Sequence, residues 1–353
     1  MQDDTLHDDG APGWDAIENV LRPIYGDQEP VHMAPILSGM LGGDDPLQGI
    51  SAYRATHGGT PHWHFVTFGY SELFEKESDD AAVSGFGFEM TIRVADPEHL
   101  DEPPPWVFSL LQNLARYVFS SGNVFEPGHH LTLNGPIALG RDTRLVAAAF
   151  VSDPELPETL STPHGTLQFV QLVGISQDEY DAMRAWDTTK LLALFRETNP
   201  SLVTELTRAS YLDDAETRRR ADEGAHTDGS SLGMVFNTKG GFETTPDGFV
   251  LSIAANALDD LQRFVLRRVE LDRPTSLSAP GGLVMLEGGD TTEVLENQEG
   301  FAHLQLDATD RDALAALPVK RGDYPLPSGR GVVRVVPVEI WNGARTQVER
   351  VIG

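Results

Sequence analysis

The sequence contains no cysteine and few basic residues, and these two deficits exclude several classes of function. Without cysteine there are no disulfides, no thiolate chemistry and no cysteine-based metal sites. Lysine and arginine number 26 against 54 aspartates and glutamates, which gives a formal net charge of −28 at pH 7. This charge repels nucleic acid and anionic lipid, so neither is expected as a partner, whereas a basic protein would be attracted.

Long hydrophobic runs are also missing. No stretch approaches the ~18 apolar residues of a membrane span, and the acidic start Met1–Leu6 lacks the basic residues and apolar core of a signal peptide. The sequence therefore predicts a cytoplasmic protein that does not enter a membrane. No internal repeat of fixed period is present, which excludes solenoids and propellers.

The chain length favours two domains, because 353 residues exceed what a single core usually supports. We expect a disordered acidic leader over residues 1–11, a first domain over 12–238 and a second over 239–353. The run NTKGG at 237–241 is typical of an interdomain break and places the boundary near Thr238. Strands mixed with helices in no repeating order predict an α+β fold, with an N-terminal mixed α/β lobe around a mixed β-sheet and a smaller β-rich C-terminal lobe.

Apolar periodicity locates the main elements of the first lobe. A helix is predicted after the three prolines at 103–105, because apolar residues recur at helical spacing until Gly122. This stripe comprises Val107, Leu110, Leu111, Leu114 and Val118. Strict alternation over 86–94 predicts a strand that buries one face. The Gly-x-Gly at 85–87 is therefore interpreted as part of that strand, since a dinucleotide loop needs a third glycine and a following helix.

Other apolar runs predict the remaining strands, together with one late helix over about Thr309–Leu317. The predicted strands are Leu145–Val151, Leu167–Ile175, Phe249–Ile253, Phe264–Leu271, Leu283–Glu287, Phe301–Leu306 and Val332–Ile340. The two lobes show no sequence similarity to each other.

Two histidine pairs are candidate metal ligands. His62 and His64 are two apart on a predicted strand, so their side chains face the same side and are able to share a metal ion. A third ligand is not evident, although His129 or His130 can supply one from another segment. One alternative function is therefore an unrecognised metal-dependent hydrolase that uses His62, His64 and His129. Because the ligand set is incomplete, two hydrogen-bonded histidines at the rim of a core fit better, and no metal or other cofactor is expected.

The run Gly229–Gly233 matches the Gly-x-Ser-x-Gly pattern of a hydrolase nucleophile elbow. That elbow requires a buried strand before the serine and a helix after it. Here a charged segment precedes the serine, and the apolar residues 234–236 follow it. A turn with structural hydroxyls is therefore expected, and no catalytic residue is assigned.

The segment from His62 to Val94 resembles the hallmark sequence of the Suppressor of fused family. It carries a His-Trp-His strand at 62–64, a Phe-Gly-x-Ser-Glu-Leu turn at 68–73 and a Ser-Gly-Phe-Gly-Phe-Glu run at 84–89. Further motifs of the family lie in the same order on both sides: PGWD at 12–15, LGGDDPL at 41–47, ISAYR at 50–54, LARYVF at 114–119, FVQLVG at 169–174 and TDGSSL at 227–232. The resemblance is specific up to about Leu232 and weaker beyond it.

This resemblance implies a binding protein without known catalysis, in which two lobes close around an extended peptide and bind it by strand addition. Animal members hold Gli transcription factors inactive in the cytoplasm, and their peptide-contacting tyrosine matches Tyr117. An acidic contact of the family falls at His129, where an imidazole replaces the carboxylate and departs from the Gli-binding pattern. The chain also lacks the long insertion of animal members and is similar in this to bacterial members, which have been proposed as immunity proteins against secreted toxins.

The sequence and the resemblance together predict a non-enzymatic, cytoplasmic protein that grips an extended protein segment between two lobes. The predicted first-lobe contact residues are Tyr117, Phe125, His129 and His130, and the predicted mechanism is backbone pairing against an open strand edge. A toxin-immunity role is the more specific hypothesis. A basic toxin domain fits it as the partner, because a strongly acidic inhibitor attracts such a domain over a distance.

Overall fold

The computed structural model describes residues 10–34, 45–56, 59–96, 101–341 and 347–353. The chain divides into two compact units: the first comprises residues up to Tyr180 together with Thr188–Thr217, and the second comprises Asp181–Asp187 and Arg218–Gly353. Thr238 lies inside the second unit, and the domain boundary near this residue stays a prediction. Of the predicted leader, residues 1–9 lie outside the described residues, as does the part of the LGGDDPL motif at 41–44.

In the described part of the chain up to residue 228, helices and strands are mixed in no repeating order. The helices are α1 (Pro12–Tyr25), α2 (Pro105–Ser121), α3 (Gln177–Ala185), α4 (Thr188–Arg196) and α5 (Ala215–Asp228), with a 3₁₀ turn at Tyr211–Asp213. The strands are β1 (Val31–Met33), β2 (Gly49–Ala55), β3 (His62–Phe68), β4 (Val83–Ala95), β5 (His130–Thr132), β6 (Leu145–Ser152), β7 (Leu160–Thr162), β8 (Gly165–Ser176) and β9 (Thr204–Glu205).

These nine strands form one mixed sheet, as predicted. Its order is β1-β2-β3-β4-β8-β6-β5, with β7 beside β8 and β9 beside the end of β4. The β4–β8 and β4–β9 pairs are parallel and the other pairs are antiparallel. Every residue of β3 is buried, which is the pattern of a central strand covered on both faces.

Helix α2 covers one face of this sheet and confirms the predicted apolar stripe. All five stripe residues are buried, and they share a core with Phe65 and Phe150 from the strands. The helix ends where predicted, because Gly122 adopts a left-handed φ of 74° and its N–H donates to the carbonyl of Val118. The long apolar face of α2 thus holds its C-terminal end against the sheet.

Helix α1 covers the opposite face. Its Ile17 and Leu21 are buried against Val66 and Phe169 of the sheet. Residues 65 and 66 are neighbours on β3 but belong to different cores, as the alternation of side chains along a strand requires.

The second unit is rich in strands, as predicted. After β10 (Met234–Phe236) come β11 (Gly241–Thr245), β12 (Gly248–Ala254), α6 (Ala255–Asp260), a π-helical turn (Leu261–Val265), α7 (Leu266–Glu270), β13 (Thr275–Ala279), β14 (Gly282–Gly288), β15 (Glu293–Gln298), β16 (Phe301–Leu306), α8 (Ala308–Ala316), β17 (Gly322–Pro325), β18 (Gly331–Val336), β19 (Val338–Trp341) and β20 (Val348–Ile352). The strands form three sheets, ordered β10-β13-β14-β16-β15, β11-β12-β18-β17 and β19-β20. Side chains from the first two sheets and from α6 and α7 form one shared core.

One predicted strand of this unit is wrong. Phe264–Leu271 forms the end of the π-helical turn and α7 instead of a strand. The buried residues Leu258, Leu261, Val265 and Val269 recur every three or four positions, which is a helical period that begins before the segment assigned as a strand. The late helix is confirmed as α8, and Phe301–Leu306 is confirmed as β16.

The fold is thus α+β with mixed sheets, as predicted from the sequence. Within the part of the chain that the structure describes, no helix has both the length and the apolar character needed to cross a membrane.

Candidate functional site

The short strand β5 forms one end of the large sheet. It pairs antiparallel with β6, with Leu131 opposite Ala148, and among the described residues no strand pairs with its other edge. The N–H of Leu133 donates to the carbonyl of Val146, and the carbonyl of His129 accepts from the N–H of Phe150. Odd-numbered residues therefore point their backbone groups at β6. The intervening Thr132 points its N–H and C=O toward the open edge, where an added strand would bind.

Tyr117 lies near this edge, at the outer end of a row of three packed aromatic rings. Its side chain is 47% exposed, and its hydroxyl accepts a 2.9 Å hydrogen bond from the side-chain amide of Asn123. The Tyr117 ring lies 5.9 Å from the ring of Phe125, which stacks at 4.3 Å on Phe150 of β6. Phe125 is only 5% exposed, so it supports Tyr117 from below and belongs to the core of the first unit.

His129 and His130 have different surroundings, as neighbours on a strand should. His129 is half-exposed, and its Nδ1 accepts from the backbone N–H of Glu126 at 3.3 Å. His130 lies 2.7 Å from the hydroxyl of Thr188 through Nδ1, with its ring edge-to-face against Tyr180. The four predicted contact residues therefore lie between the last turns of α2 and the start of β5. Their role in binding stays a prediction.

The hallmark segment at 62–94 owes much of its local structure to two glutamates. The first, Glu89, lies on β4 and is fully buried against the FGYS turn at 68–71. Its carboxylate accepts hydrogen bonds from the hydroxyls of Thr67 and Ser71, each at 2.6 Å, and from the backbone N–H groups of Gly69 and Ser71, each at 2.9 Å. Burial raises the pKa of Glu89 to about 6, although these four donors act in the opposite direction.

The second glutamate, Glu72, holds the acidic loop that follows. It accepts from the ammonium of Lys76 at 2.8 Å and from the backbone N–H groups of Glu77, Ser78 and Gly85. Burial alone would raise the pKa of Glu72, but these donors outweigh it and lower the pKa to about 2. Gly85 has a left-handed φ of 55°, and a side chain there would collide with the carbonyl of Tyr70. The Gly-x-Gly of this run is confirmed as part of strand β4.

A buried ionic network lies under α1 on the same sheet. Arg93 is fully buried and pairs with Asp153 at 2.8 Å and with Glu155 at 2.5 Å, while its Nε donates to the side-chain oxygen of Gln171. Asp153 also accepts from the hydroxyl of Thr91 at 2.8 Å. These contacts tie β4 and β8 to the loop that leaves β6. They satisfy the buried charges, as a stable buried ion pair requires.

His64 completes this network in its neutral form. Its Nδ1 lies 2.6 Å from the hydroxyl of Tyr25 on α1, and its Nε2 lies 3.0 Å from Asp153. The carboxylate can only accept, so the proton is on Nε2 and the Tyr25 hydroxyl donates to Nδ1. Burial and the nearby Arg93 guanidinium lower the pKa of His64, despite the opposing effect of Asp153.

The proposed metal site at His62, His64 and His129 does not form. The Nδ1 of His62 donates to the carbonyl of Thr60 at 2.7 Å, and burial lowers the pKa of this histidine to about 4. His129 precedes β5, four strands along the sheet from β3, which is a separation of about 19 Å at the usual strand spacing. Across the described ranges, no group of three or more His, Asp or Glu side chains is placed to hold a metal ion.

The Gly229–Gly233 run forms the expected turn. Ser230 is fully buried, and its hydroxyl donates to the carbonyl of Arg184 at 2.5 Å. The run leads into strand β10 instead of a helix, so this serine is not a nucleophile on an elbow.

Sequence reasoning missed the roles of Glu72, Glu89, Arg93 and Asp153. The available signal was a set of polar residues at alternate positions of an otherwise apolar strand, since Glu89, Thr91 and Arg93 are all fully buried on β4. Their partners, by contrast, lie far away along the chain and leave no local pattern.

Several known proteins resemble this chain in sequence and in fold. The model of the Suppressor of fused protein family matches residues 43–209. The human and mouse Suppressor of fused homologs are each 34% identical to this chain over 241 residues, which is 63% of the chain and 49% of each relative. A solved structure described as the Sufu-Fu complex is 31% identical, with a TM-score of 0.55, and the match covers 59% of this chain and 96% of that one. The chain belongs to the Suppressor of fused family.

Within the Suppressor of fused family, the Drosophila protein shows the same fold. Its crystal structure matches with a TM-score of 0.77 at 22% identity and covers 92% of this chain and 97% of that chain. The chain spans about half the length of the human and mouse relatives. The family match at 43–209 includes both the hallmark segment and strand β5.

Proposed function

We propose that this chain is a non-enzymatic binding protein that sequesters a partner by adding an extended segment of it to the open edge of β5. The single observation that carries the proposal is the position of β5 at the end of the sheet, with the backbone groups of Thr132 directed outward. Strand addition uses such groups for affinity and neighbouring side chains for specificity. The exposed Tyr117 and the half-exposed His129 supply those side chains.

The family supports a protein partner. One member of the family has been solved in a structure described as the Sufu-Fu complex. That the second lobe also grips the segment, and that sequestration takes place in the cytoplasm, are parts of the proposal carried over from the sequence.

A toxin-immunity role is the more specific proposal. The net charge of −28 favours a basic partner, and many nucleic-acid-cleaving toxins must be basic to bind their substrate. His129 in place of a family carboxylate supports a partner other than Gli, because an imidazole donates or accepts while a carboxylate only accepts.

The deciding experiment separates backbone pairing from side-chain contact. Thr132→Pro removes the outward N–H of residue 132, whereas the matched control Thr132→Ala keeps it. Each tagged variant captures partners from the lysate of the source organism, and bound proteins are identified by mass spectrometry. A partner retained by the wild type and Thr132→Ala, but lost by Thr132→Pro, supports strand addition. Equal retention by both variants refutes it.

A further inference from the structure

The first unit contains a groove beside the hallmark segment, on a surface that the proposed function does not use. Its volume is about 830 Å³, which lies in the range of sites that bind organic ligands or peptide side chains. The acidic loop after β3 forms one wall and the C-terminal end of α2 forms the other. Two large aromatic side chains, Phe74 at 43% and Phe119 at 44% exposure, face solvent there.

The groove is preformed. Phe119 packs edge-to-face on Phe86 at 4.9 Å and lies 6.1 Å from Tyr70, which is itself stacked on Phe88 of β4. The loop wall is held by the hydrogen bonds that Glu72 accepts from its backbone. Because these walls are already ordered, binding a segment costs little conformational entropy of the groove side chains.

The rim of the groove is negatively charged. Glu75 and Glu77 line it and are exposed, and Asp79 and Asp80 follow them on the same loop. The nearest cation, Lys76, is bound to Glu72, to the hydroxyl of Ser78 and to the carbonyl of Val83.

The other wall contributes one cation, Arg116, and it is already paired with Asp45. The groove thus combines apolar walls with the carboxylates of Glu75 and Glu77, which pair with no cation among the residues that the structure describes. Such a site disfavours anionic lipid and nucleic acid and favours a cationic, apolar occupant.

We propose that this groove is a second protein-binding site, and that it takes a partner segment in which aromatic or large aliphatic residues are flanked by lysine or arginine. The apolar side chains of the segment pack on Phe74 and Phe119, and its cations lie against Glu75 and Glu77. The site is distinct from the β5 edge, because Tyr117 and Phe119 point to different neighbours. A partner that uses both surfaces gains avidity from their linkage.

A displayed library of random peptides tests the proposal. Peptides are selected on the wild-type chain and counter-selected on a variant that carries both Phe74→Ala and Phe119→Ala. This step removes peptides that bind the β5 edge. Both phenylalanines are nearly half-exposed and lie outside the core, so the double variant is expected to keep its fold, which its melting curve verifies.

We expect the surviving peptides to combine aromatic residues with lysine or arginine. Their affinity, measured by fluorescence anisotropy, should fall about tenfold or more with Phe119→Ala, as for a truncated interface anchor. It should also fall with Glu75→Gln and Glu77→Gln combined. The matched controls are Leu139→Ala, which removes a more exposed apolar side chain, and Glu158→Gln, which removes an exposed charge elsewhere in the first unit. Neither control should change the affinity.

Three results overturn the proposal: no enrichment after counter-selection, enriched peptides without basic residues, or affinities that the glutamate substitutions leave unchanged. None of these results bears on strand addition at β5, because Tyr117 and Thr132 are intact in every groove variant. The two proposals therefore fail independently.

Discussion

Tyr117 and Phe119 lie two residues apart near the end of α2, and their rings pack against different aromatic partners. Tyr117 contacts Phe125 at 5.9 Å, whereas Phe119 contacts Phe86 at 4.9 Å. Two residues correspond to a rotation of about 200° around a helix. One helix end thus supplies an exposed aromatic side chain to each of two surfaces. A single substitution at Tyr117 or Phe119 therefore alters one surface and leaves the other intact.

Tyr117→Ala should weaken partner binding about tenfold or more while leaving the fold intact. The side chain is half-exposed, so the free energy of unfolding should change by no more than about 0.5 kcal/mol. Phe125→Ala is the contrasting variant, because its loss from the core should cost about 3–5 kcal/mol. Binding is measured with the captured partner and stability by urea denaturation. A large loss of stability in Tyr117→Ala would show instead that this residue is structural.

Asp153→Asn should destabilise the protein by about 3–5 kcal/mol, since it removes the carboxylate charge beside the fully buried Arg93 and leaves one buried cation undercompensated. The smaller change Tyr25→Phe removes only the hydroxyl that donates to His64, and about 1 kcal/mol is expected. Urea denaturation of both variants at pH 7 measures the difference. Similar losses in the two variants would mean that the ion pair contributes no more than a single hydrogen bond.

Glu89 should make stability depend on pH in the opposite direction to an ordinary carboxylate. Its pKa is raised to about 6 in the folded state from 4.5, so the folded chain binds the proton more tightly than the unfolded chain. The stability of the wild type relative to Glu89→Gln should therefore fall by up to about 2 kcal/mol as the pH rises from 4.5 to above 6. Denaturation of both proteins across this range measures it. A difference that grows with pH would contradict the raised pKa.

Chelation should not affect this protein. His64 already uses both ring nitrogens, His62 donates to Thr60, and the Arg93 guanidinium lies beside them. We expect no stoichiometric zinc in the purified protein by elemental analysis, and the same melting temperature with EDTA or added zinc. Bound zinc whose removal lowers the melting temperature would instead revive the hydrolase hypothesis.

Partner binding should weaken strongly with salt if the partner is basic. Between ~50 mM and ~500 mM salt the Debye length shrinks severalfold, so long-range attraction to a chain of net charge −28 is largely screened. A titration of the captured partner at several salt concentrations gives the slope. An affinity that stays constant removes the electrostatic argument for a toxin partner.

The elements that the sequence predicted well are those whose signal is local. The stripe on α2 reports one buried face and was confirmed. The alternation on β4 correctly predicted a strand, but the expectation of a single buried face was wrong, because Glu89, Thr91 and Arg93 on its other face are also fully buried. The run Phe264–Leu271 was wrongly assigned because short apolar runs do not distinguish strand from buried helix. Its true period becomes visible only when Leu258 and Leu261 are included.

The site was less predictable than the fold. The sequence placed His62 and His64 on one face of a strand, and both side chains do reach Arg93 and its network. It did not indicate that Asp153, which follows another strand, would accept a hydrogen bond from the Nε2 of His64. Such contacts depend on the order of strands in the sheet, which local patterns do not encode.

The brevity of β5 has a consequence for how copies of this chain behave in solution. A strand of three residues presents few outward backbone groups, and each hydrogen bond contributes only about 0.5–1.5 kcal/mol net. Backbone pairing alone therefore contributes little when two copies meet edge to edge, and a bound partner must draw the rest of its affinity from side-chain contacts.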